Sequence, residues 1–115
     1  MAINSRQKGK RGELEFCKLC KKHGYDVHRT AQYCGNTGQA ADVVGLDGIH
    51  AEVKNTETLR LREYMYQAIH DAKKEGKGNL PVVFYHKGRD RWYAIMDVDD
   101  WFELYGRAEG RIRIV

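Results

Sequence analysis

Residues 42–54 read DVVGLDGIHAEVK, and this segment decides the fold. Apolar and β-branched residues on both sides of the Asp-Gly dipeptide at positions 47–48 predict a β-hairpin, because Asp-Gly is a favoured hairpin turn. Residues two apart in a strand share a face, so Glu52 and Lys54 point the same way while Val53 points into the core. A charged pair on one face of an otherwise apolar strand is costly, which indicates a functional role for the pair.

The length of the turn decides whether the acidic residues of the two strands meet. A two-residue turn would pair Asp42 with Val53 and place the aspartate on the wrong face. A three-residue loop over residues 46–48 instead pairs Asp42 with Glu52, with Gly48 in the left-handed position of a bulge-type turn. We predict this loop or an equivalent bulge, because only then do the two carboxylates and the lysine converge.

Two converging carboxylates repel each other unless a cation lies between them, so Asp42 and Glu52 predict a metal site. Oxygen ligands with retained waters suit Mg²⁺, with Mn²⁺ as a substitute, and the backbone carbonyl of Val53 is a further candidate ligand. Lys54 is placed to orient or activate an attacking water, or to stabilise the charge that develops on a phosphorane. The residues therefore predict a metal-dependent phosphodiesterase centre.

Hydrophobic periodicity and glycine positions predict the elements around the hairpin. Helices are expected at residues 9–23, 61–74 and 98–105. Strands are expected at residues 25–30, 41–46, 49–55, 82–86 and 91–96, with a strand or extended arm at 111–115. The middle helix is expected to bury one stripe, formed by Leu61, Met65, Ala68, Ile69 and Ala72. This order predicts an α/β fold, with a central mixed sheet of four to five strands flanked by helices.

Composition bounds the class of protein. The 115 residues fit one domain, 1–115, in which we expect residues 1–8 to form a flexible basic arm. The net charge of +4 favours a polyanionic partner, most often nucleic acid. No apolar run reaches the ~20 residues that span a membrane, and the N-terminus lacks a secretory signal. The count of three cysteines is odd, which disfavours a disulfide framework. We therefore expect a cytoplasmic protein, and we expect no membrane partner.

The D-x₉-E-V-K pattern of residues 42–54 resembles the core of the PD-(D/E)XK nuclease superfamily. Upstream, KGKRGELE at residues 8–15 resembles the opening helix of archaeal-type Holliday junction resolvases and their small phage relatives. The resemblance covers about residues 8–96 and implies a restriction-endonuclease-like core. It also implies that Glu13 joins the metal site and that Gln67, on the second long helix, faces the active site.

The resemblance implies a Mg²⁺-dependent DNA endonuclease whose hydrolysis leaves a 5′-phosphate. Contacts with the DNA backbone are expected from basic residues and from the loop at 31–39, namely from Lys8, Lys10, Arg11, Arg29, Tyr33 and Asn36. A chain of this length has no room for a separate sequence-reading domain, which favours structure-selective cleavage of a four-way DNA junction. The resemblance also favours a phage source, in which case the compartment is the host cytoplasm.

A junction resolvase needs two active sites, because the junction presents two symmetric scissile strands. A small enzyme obtains two sites by forming a two-fold homodimer, so we expect one here. The apolar and aromatic residues within 61–69 and 101–105 are candidates for its interface.

Three alternatives stay open on the sequence. The first is a related small nuclease that nicks or debranches other DNA after recruitment by a partner. The second is a non-catalytic basic DNA-binding module, whose DNA binding would be indifferent to Glu52→Gln. The third is a zinc-stabilised domain, although cysteines on an apolar helical face usually pack as small hydrophobes. Its candidate ligands are Cys17, Cys20, His23, His28 and Cys34.

Overall fold

The structure is a computed structural model that describes residues 5–30 and 41–110, apart from the side chain of Ser5. Its helices are α1 (Ser5–Lys22), α2 (Leu61–Glu75) and α3 (Val98–Ala108). Its strands are β1 (His28–Arg29), β2 (Val43–Val44), β3 (Ile49–Asn55), β4 (Leu80–His86) and β5 (Tyr93–Ile95). The predicted loop at 31–39 and the predicted strand or arm at 111–115 lie outside the described residues.

The five strands form one mixed sheet in the order β1-β2-β3-β4-β5. β3 and β4 are parallel and are joined by α2, whereas the other neighbouring strands are antiparallel. A parallel pair needs a crossover connection, which the helix predicted over residues 61–74 provides. The predicted α/β fold, with a central mixed sheet of four to five strands flanked by helices, is confirmed.

The β2–β3 hairpin has the register that brings its acidic residues together. Val43 pairs with Ala51, and Asp42 lies just before β2 with its side chain hydrogen-bonded to that of Glu52. Gly48 has a φ of +80°, the left-handed conformation in which glycine is favoured. The left-handed glycine predicted for the turn is confirmed, whereas Asp42 lies outside the paired residues and its N–H donates to the carbonyl oxygen of Ala51.

Three strands are shorter than the sequence predicts. β1 has two residues rather than residues 25–30, β2 has two rather than residues 41–46, and β5 has three rather than residues 91–96. Gly45 ends β2, because its φ of +122° departs from extended backbone. A Cβ at this position would lie 2.5 Å from the carbonyl oxygen of Asp26, so the chain turns where only glycine fits.

Helix α1 begins at Ser5, earlier than the predicted start at Gly9. The prediction of a flexible arm over residues 1–8 is therefore wrong for residues 5–8, and residues 1–4 lie outside the described residues. Asn55 Nδ2 donates to the carbonyl oxygen of Lys8 at 3.1 Å, so this turn of the helix is tied to the end of β3.

The core has two parts because helices cover both faces of the sheet. On one face, α1 packs its residues Phe16, Cys17 and Cys20 against Val27, Val43, Ala51 and Val53. On the other face, α2 packs Tyr64, Met65 and Ala68 against Val83 and Tyr85. The two cysteines pack as small hydrophobic side chains, in agreement with the structural interpretation of their positions.

The buried stripe of α2 differs from the prediction at four positions. Leu61 and Ile69 are exposed, whereas Tyr64 and Asp71 are buried with the predicted Met65, Ala68 and Ala72. Ile69 lies about 100° around the helix from Ala68, which is enough to carry it off the buried face. Tyr64 can be buried because its hydroxyl has partners, including the carbonyl oxygen of Thr58 at 3.1 Å.

Helix α3 lies on the surface and begins at a capping residue. The side chain of Asp97 accepts hydrogen bonds from the N–H groups of Asp99 and Asp100 and so caps the helix. None of the residues of α3 is buried. Among residues 5–30 and 41–110, no helix combines the length and hydropathy that a membrane span requires.

Candidate active site

The hairpin itself holds the first carboxylate in place. The backbone N–H of Asp42 donates to the carbonyl oxygen of Ala51 at 2.9 Å. In return, the N–H of Val53 donates to Asp42 Oδ2 at 2.8 Å. Both contacts are made to β3, so they hold Asp42 and its side chain against the strand that carries Glu52. The structure thus brings together the two carboxylates that the register predicted.

The electrostatics of Asp42 reflect this crowding. The pKa of Asp42 is raised from 3.8 to about 8, chiefly by burial and next by the negative charge of Glu52. Glu13 adds a smaller effect in the same direction, while the hydrogen bond from the Val53 N–H opposes it. The side chains of Asp42 and Glu52 also share a hydrogen bond, so in the absence of a cation a proton is held between them.

This pair fits a divalent cation in its donor chemistry. Mg²⁺ is typically bound through one or two carboxylates, with waters and substrate phosphates completing its coordination. Asp42 and Glu52 supply two carboxylates, and a cation between them would relieve the repulsion that retains the proton. Within the described residues, no group of three or more His, Cys, Asp or Glu side chains is arranged to hold a metal.

Lys54 and Gln67 are brought together by a hydrogen bond between β3 and α2. Lys54 follows Glu52 on the same face of β3, and its Nζ donates to Gln67 Oε1 on α2 at 3.0 Å. The ammonium group also lies 5.1 Å from the centre of the Tyr64 ring, a cation–π contact. Two contacts from α2 thus hold the lysine beside the carboxylate pair.

Glu13 approaches the site because α1 packs closely on the end of β3. A Cβ at Gly12 would lie 2.6 Å from Asn55 Cβ, so the close packing requires glycine. Glu13 Oε1 accepts a hydrogen bond from Arg29 Nε at 2.8 Å, in an ion pair that is largely shielded from solvent. Arg29 was expected to contact DNA phosphate, but in the structure its Nε donates to Glu13.

The other residues that were expected to contact DNA differ in their exposure and location. Lys10 and Arg11 are exposed on α1. Lys8 is partly buried, with its Nζ 3.6 Å from Glu57 Oε1. Tyr33 and Asn36 lie outside the described residues.

One buried cluster was missed by the sequence analysis. His50 is fully buried, and its Nε2 lies 2.9 Å from Glu52 Oε1 while its Nδ1 lies 3.1 Å from Glu75 Oε1. Burial acts to lower the pKa of His50, but hydrogen bonds to Glu52 and Glu75 outweigh it and raise the pKa above 6.5. The alternation of β3 already placed His50 on the face of Glu52. No sequence pattern indicated a role for Glu75, because it lies at the end of α2 and contacts His50 only in the folded protein.

The ligands of the zinc alternative do not assemble among the described residues. Cys17 and Cys20 are buried in the core, and burial raises the pKa of both thiols, which disfavours the thiolate that zinc requires. His23 and His28 are exposed, and Cys34 lies outside the described residues.

Comparisons with known proteins identify a family and a similar fold. The family model described as "Phage putative PDDEXK endonuclease" matches residues 4–114. The fold is similar to that of Hjc, a Holliday junction resolvase from the archaeal hyperthermophile Archaeoglobus fulgidus, with a TM-score of 0.56 and 23% sequence identity. That similarity covers 77% of this chain and 72% of Hjc. No curated protein sequence matches the chain.

Proposed function

We propose, on the premise that the chain belongs to the family of phage PDDEXK endonucleases, that it is a Mg²⁺-dependent endonuclease selective for four-way DNA junctions. Membership of this family and the resolvase-like fold support nuclease activity on DNA. The observation that carries the proposal is the convergence of Asp42 and Glu52 beside Lys54, at the register of the β2–β3 hairpin.

Each residue of the site has a distinct role in the proposed reaction. Asp42 and Glu52 hold the cation, with the Val53 carbonyl and Glu13 as further ligands. When bound, Mg²⁺ supplies Lewis-acid polarisation of the scissile phosphate. Lys54 orients the attacking water and stabilises the negative charge that develops on the phosphorane.

The position of Lys54 matters as much as its charge. Gln67 and Tyr64 restrict the Nζ to one region beside the carboxylates, so the lysine does not have to be ordered during the reaction. The water oxygen forms a bond to phosphorus as the bond to the 3′ oxygen breaks. The products therefore carry a 5′-phosphate and a 3′-hydroxyl.

Contacts with the phosphate backbone would position the DNA without reading its sequence. Lys10 and Arg11 are exposed on α1, whose Glu13 approaches the carboxylate pair, and we propose them as the main contacts. We extend the proposal to the remaining expected contacts, Lys8, Arg29, Tyr33 and Asn36. Arg29 would act chiefly by holding Glu13 through their ion pair.

We propose that the protein forms a homodimer in the host cytoplasm and that this dimer gives the selectivity for a junction. The candidate interface residues in α2 and α3 include Leu61, Ile69, Trp101, Phe102 and Tyr105, all of which are exposed. A two-fold dimer would present two carboxylate pairs to the two symmetric strands of one junction.

The test compares an immobile four-way junction with a linear duplex of the same sequences, each incubated with Mg²⁺. Asp42→Asn and Glu52→Gln are assayed with the wild type, and Asp47→Asn serves as the matched control because Asp47 is exposed in the hairpin turn. We expect paired symmetric nicks on the junction only. Both site variants should lose cleavage by orders of magnitude while they keep junction affinity, and the control should cleave normally.

The other outcomes separate the alternatives. Equal cleavage of both DNAs would retain the nuclease and reject the junction selectivity. Tight binding without cleavage by the wild type, in Mg²⁺ and in Mn²⁺, would reject the nuclease in favour of a DNA-binding module.

A further inference from the structure

His50 links the active site to the far end of α2. It is 0% exposed, and each nitrogen of its ring lies within hydrogen-bonding distance of a carboxylate oxygen, one from Glu52 and one from Glu75. The second oxygen of Glu75 accepts from the backbone N–H of Ala41 at 3.4 Å. Ala41 directly precedes Asp42. The contacts therefore connect Glu52, through His50 and Glu75, to the backbone beside Asp42.

The position of Glu75 is unfavourable without these contacts. An acidic side chain in the last turn of a helix faces the negative end of the helix dipole. Glu75 is the last residue of α2, next to its Gly76 cap, and its side chain is only 11% exposed. The contacts with His50 and Ala41 offset the cost of placing a carboxylate at the negative end of the dipole and the cost of burying it.

The burial of His50 is also unfavourable unless both of its polar atoms are satisfied. Ala51 and Val53, on the opposite face of β3, are apolar and pack against α1. Packing alone would be served equally well by an apolar residue at position 50. A histidine held between two carboxylates adds orientation, because it fixes one oxygen of Glu52 and thereby sets the direction of the other.

We propose that His50 and Glu75 are positioning residues that hold Glu52 and the backbone entering Asp42 in the geometry of the cation site. This inference rests on the proposed function and concerns residues that no part of it yet uses. Residues that orient metal ligands by hydrogen bonding typically change metal affinity or activity by about 10–100-fold when they are replaced. The predicted phenotype is therefore weakened cation binding in a folded protein.

Two substitutions at position 50 separate the two contacts. In His50→Gln the amide nitrogen can replace Nε2 and keep the donor to Glu52. In His50→Asn the amide can replace Nδ1 only, so Glu52 loses its donor. Glu75→Gln retains an acceptor for His50 and tests the distal contact. His70→Asn and Glu63→Gln, at exposed positions of α2, are the matched controls.

The measurement is the dissociation constant of Mn²⁺ alone, by calorimetry on the DNA-free protein, with thermal melting to establish that each variant is folded. We expect Mn²⁺ binding to weaken by about 10–100-fold in His50→Asn and by less in His50→Gln and Glu75→Gln. The controls should bind like the wild type. At saturating Mn²⁺, cleavage of a junction by His50→Asn should recover to near the wild-type rate, whereas cleavage by Asp42→Asn should not.

Each contrary result has a distinct meaning. Folded His50 and Glu75 variants that bind Mn²⁺ as tightly as the wild type would overturn the inference, although a wild type that binds Mn²⁺ and cleaves would leave the proposed function intact. If His50→Asn does not fold, unchanged Mn²⁺ affinity in Glu75→Gln and His50→Gln would overturn it equally. A wild type that neither binds Mn²⁺ nor cleaves would overturn the proposed function and this inference together.

Discussion

His50 and Glu52 on β3 expose 0% and 3% of their surface, whereas Val98 and Phe102 on α3 expose 64% and 59%. Polar side chains are thus buried in one region while apolar side chains are exposed in another. Buried polar groups are costly unless they are hydrogen-bonded, and those of β3 have partners. A cluster of exposed apolar residues typically marks an interaction surface. From this difference we propose two kinds of function, namely chemistry at β3 and association at α3.

Loss of the lysine at the active site should give the largest effect. Lys54→Met should reduce the rate of cleavage by about 10²–10³-fold, because it removes a preorganised charge that stabilises the developing phosphorane. The affinity for Mn²⁺ should change little, since Lys54 is not a ligand. Single-turnover cleavage and calorimetry test the two halves of this prediction, with Lys73→Met, at an exposed position of α2, as the control. Normal cleavage by Lys54→Met would show that the lysine is an ordinary surface charge.

The affinity for the cation should depend on pH through Asp42. Its pKa is raised from 3.8 to about 8 in the metal-free fold, so the folded protein keeps a proton that the unfolded chain loses. Metal-free stability should therefore fall as pH rises from about 4 towards 8. A cation must displace that proton, so Mn²⁺ affinity should rise by up to about tenfold per pH unit towards pH 8 and then level off.

Calorimetry at pH 6, 7 and 8 in two buffers of different ionisation enthalpy measures both the affinity and the release of the proton. An Mn²⁺ affinity that is the same at all three pH values would contradict the account of the carboxylate pair.

A smaller effect is expected where α1 approaches the active-site strand. Gly12→Ala should destabilise the fold by about 1–3 kcal/mol, because its Cβ would lie 2.6 Å from Asn55 Cβ. Gly9→Ala, where nothing lies within 4 Å, should stabilise the same helix by about 0.5–1 kcal/mol. Urea denaturation measures both. Equal effects at the two positions would show that α1 does not pack closely on β3.

The smallest change in stability is expected at α3. Phe102→Ser should change the free energy of unfolding by less than about 0.5 kcal/mol, since the residue is exposed and contributes little to the core. It should nevertheless convert the proposed dimer to a monomer, as measured by sedimentation. Tyr25→Ser, at an exposed aromatic outside α2 and α3, is the control. Unchanged association in Phe102→Ser would remove α3 from the interface.

The sequence predicted the active-site strand well because the relevant information is local. Alternation along β3 and the turn glycine sufficed to bring the side chain of Asp42 to that of Glu52, and both depend on neighbouring residues alone. The resemblance added Gln67, which the structure places against Lys54. The roles of these residues in catalysis stay proposals.

The errors arose where distant parts of the chain meet. Gly45 shortened β2 because the backbone near Asp26 packs against it, which no pattern within the strand indicates. The contact of Arg29 with Glu13 of α1 was not predicted, although Arg29 stays a proposed DNA contact. Glu75 reaches His50 from the end of α2. Contacts of this kind depend on tertiary packing, which overrides local propensity.

The most direct test of the account is an NMR titration of the Asp42 side-chain carboxyl carbon, assigned with the Asp42→Asn variant, with and without Mg²⁺. We predict a pKa of about 8 without the cation, because burial and Glu52 together disfavour the carboxylate. Addition of Mg²⁺ should lower that pKa by displacing the shared proton. A carboxyl that titrates near 3.8 without Mg²⁺, or a raised pKa that Mg²⁺ leaves unchanged, would contradict the claim that Asp42 and Glu52 form the cation site.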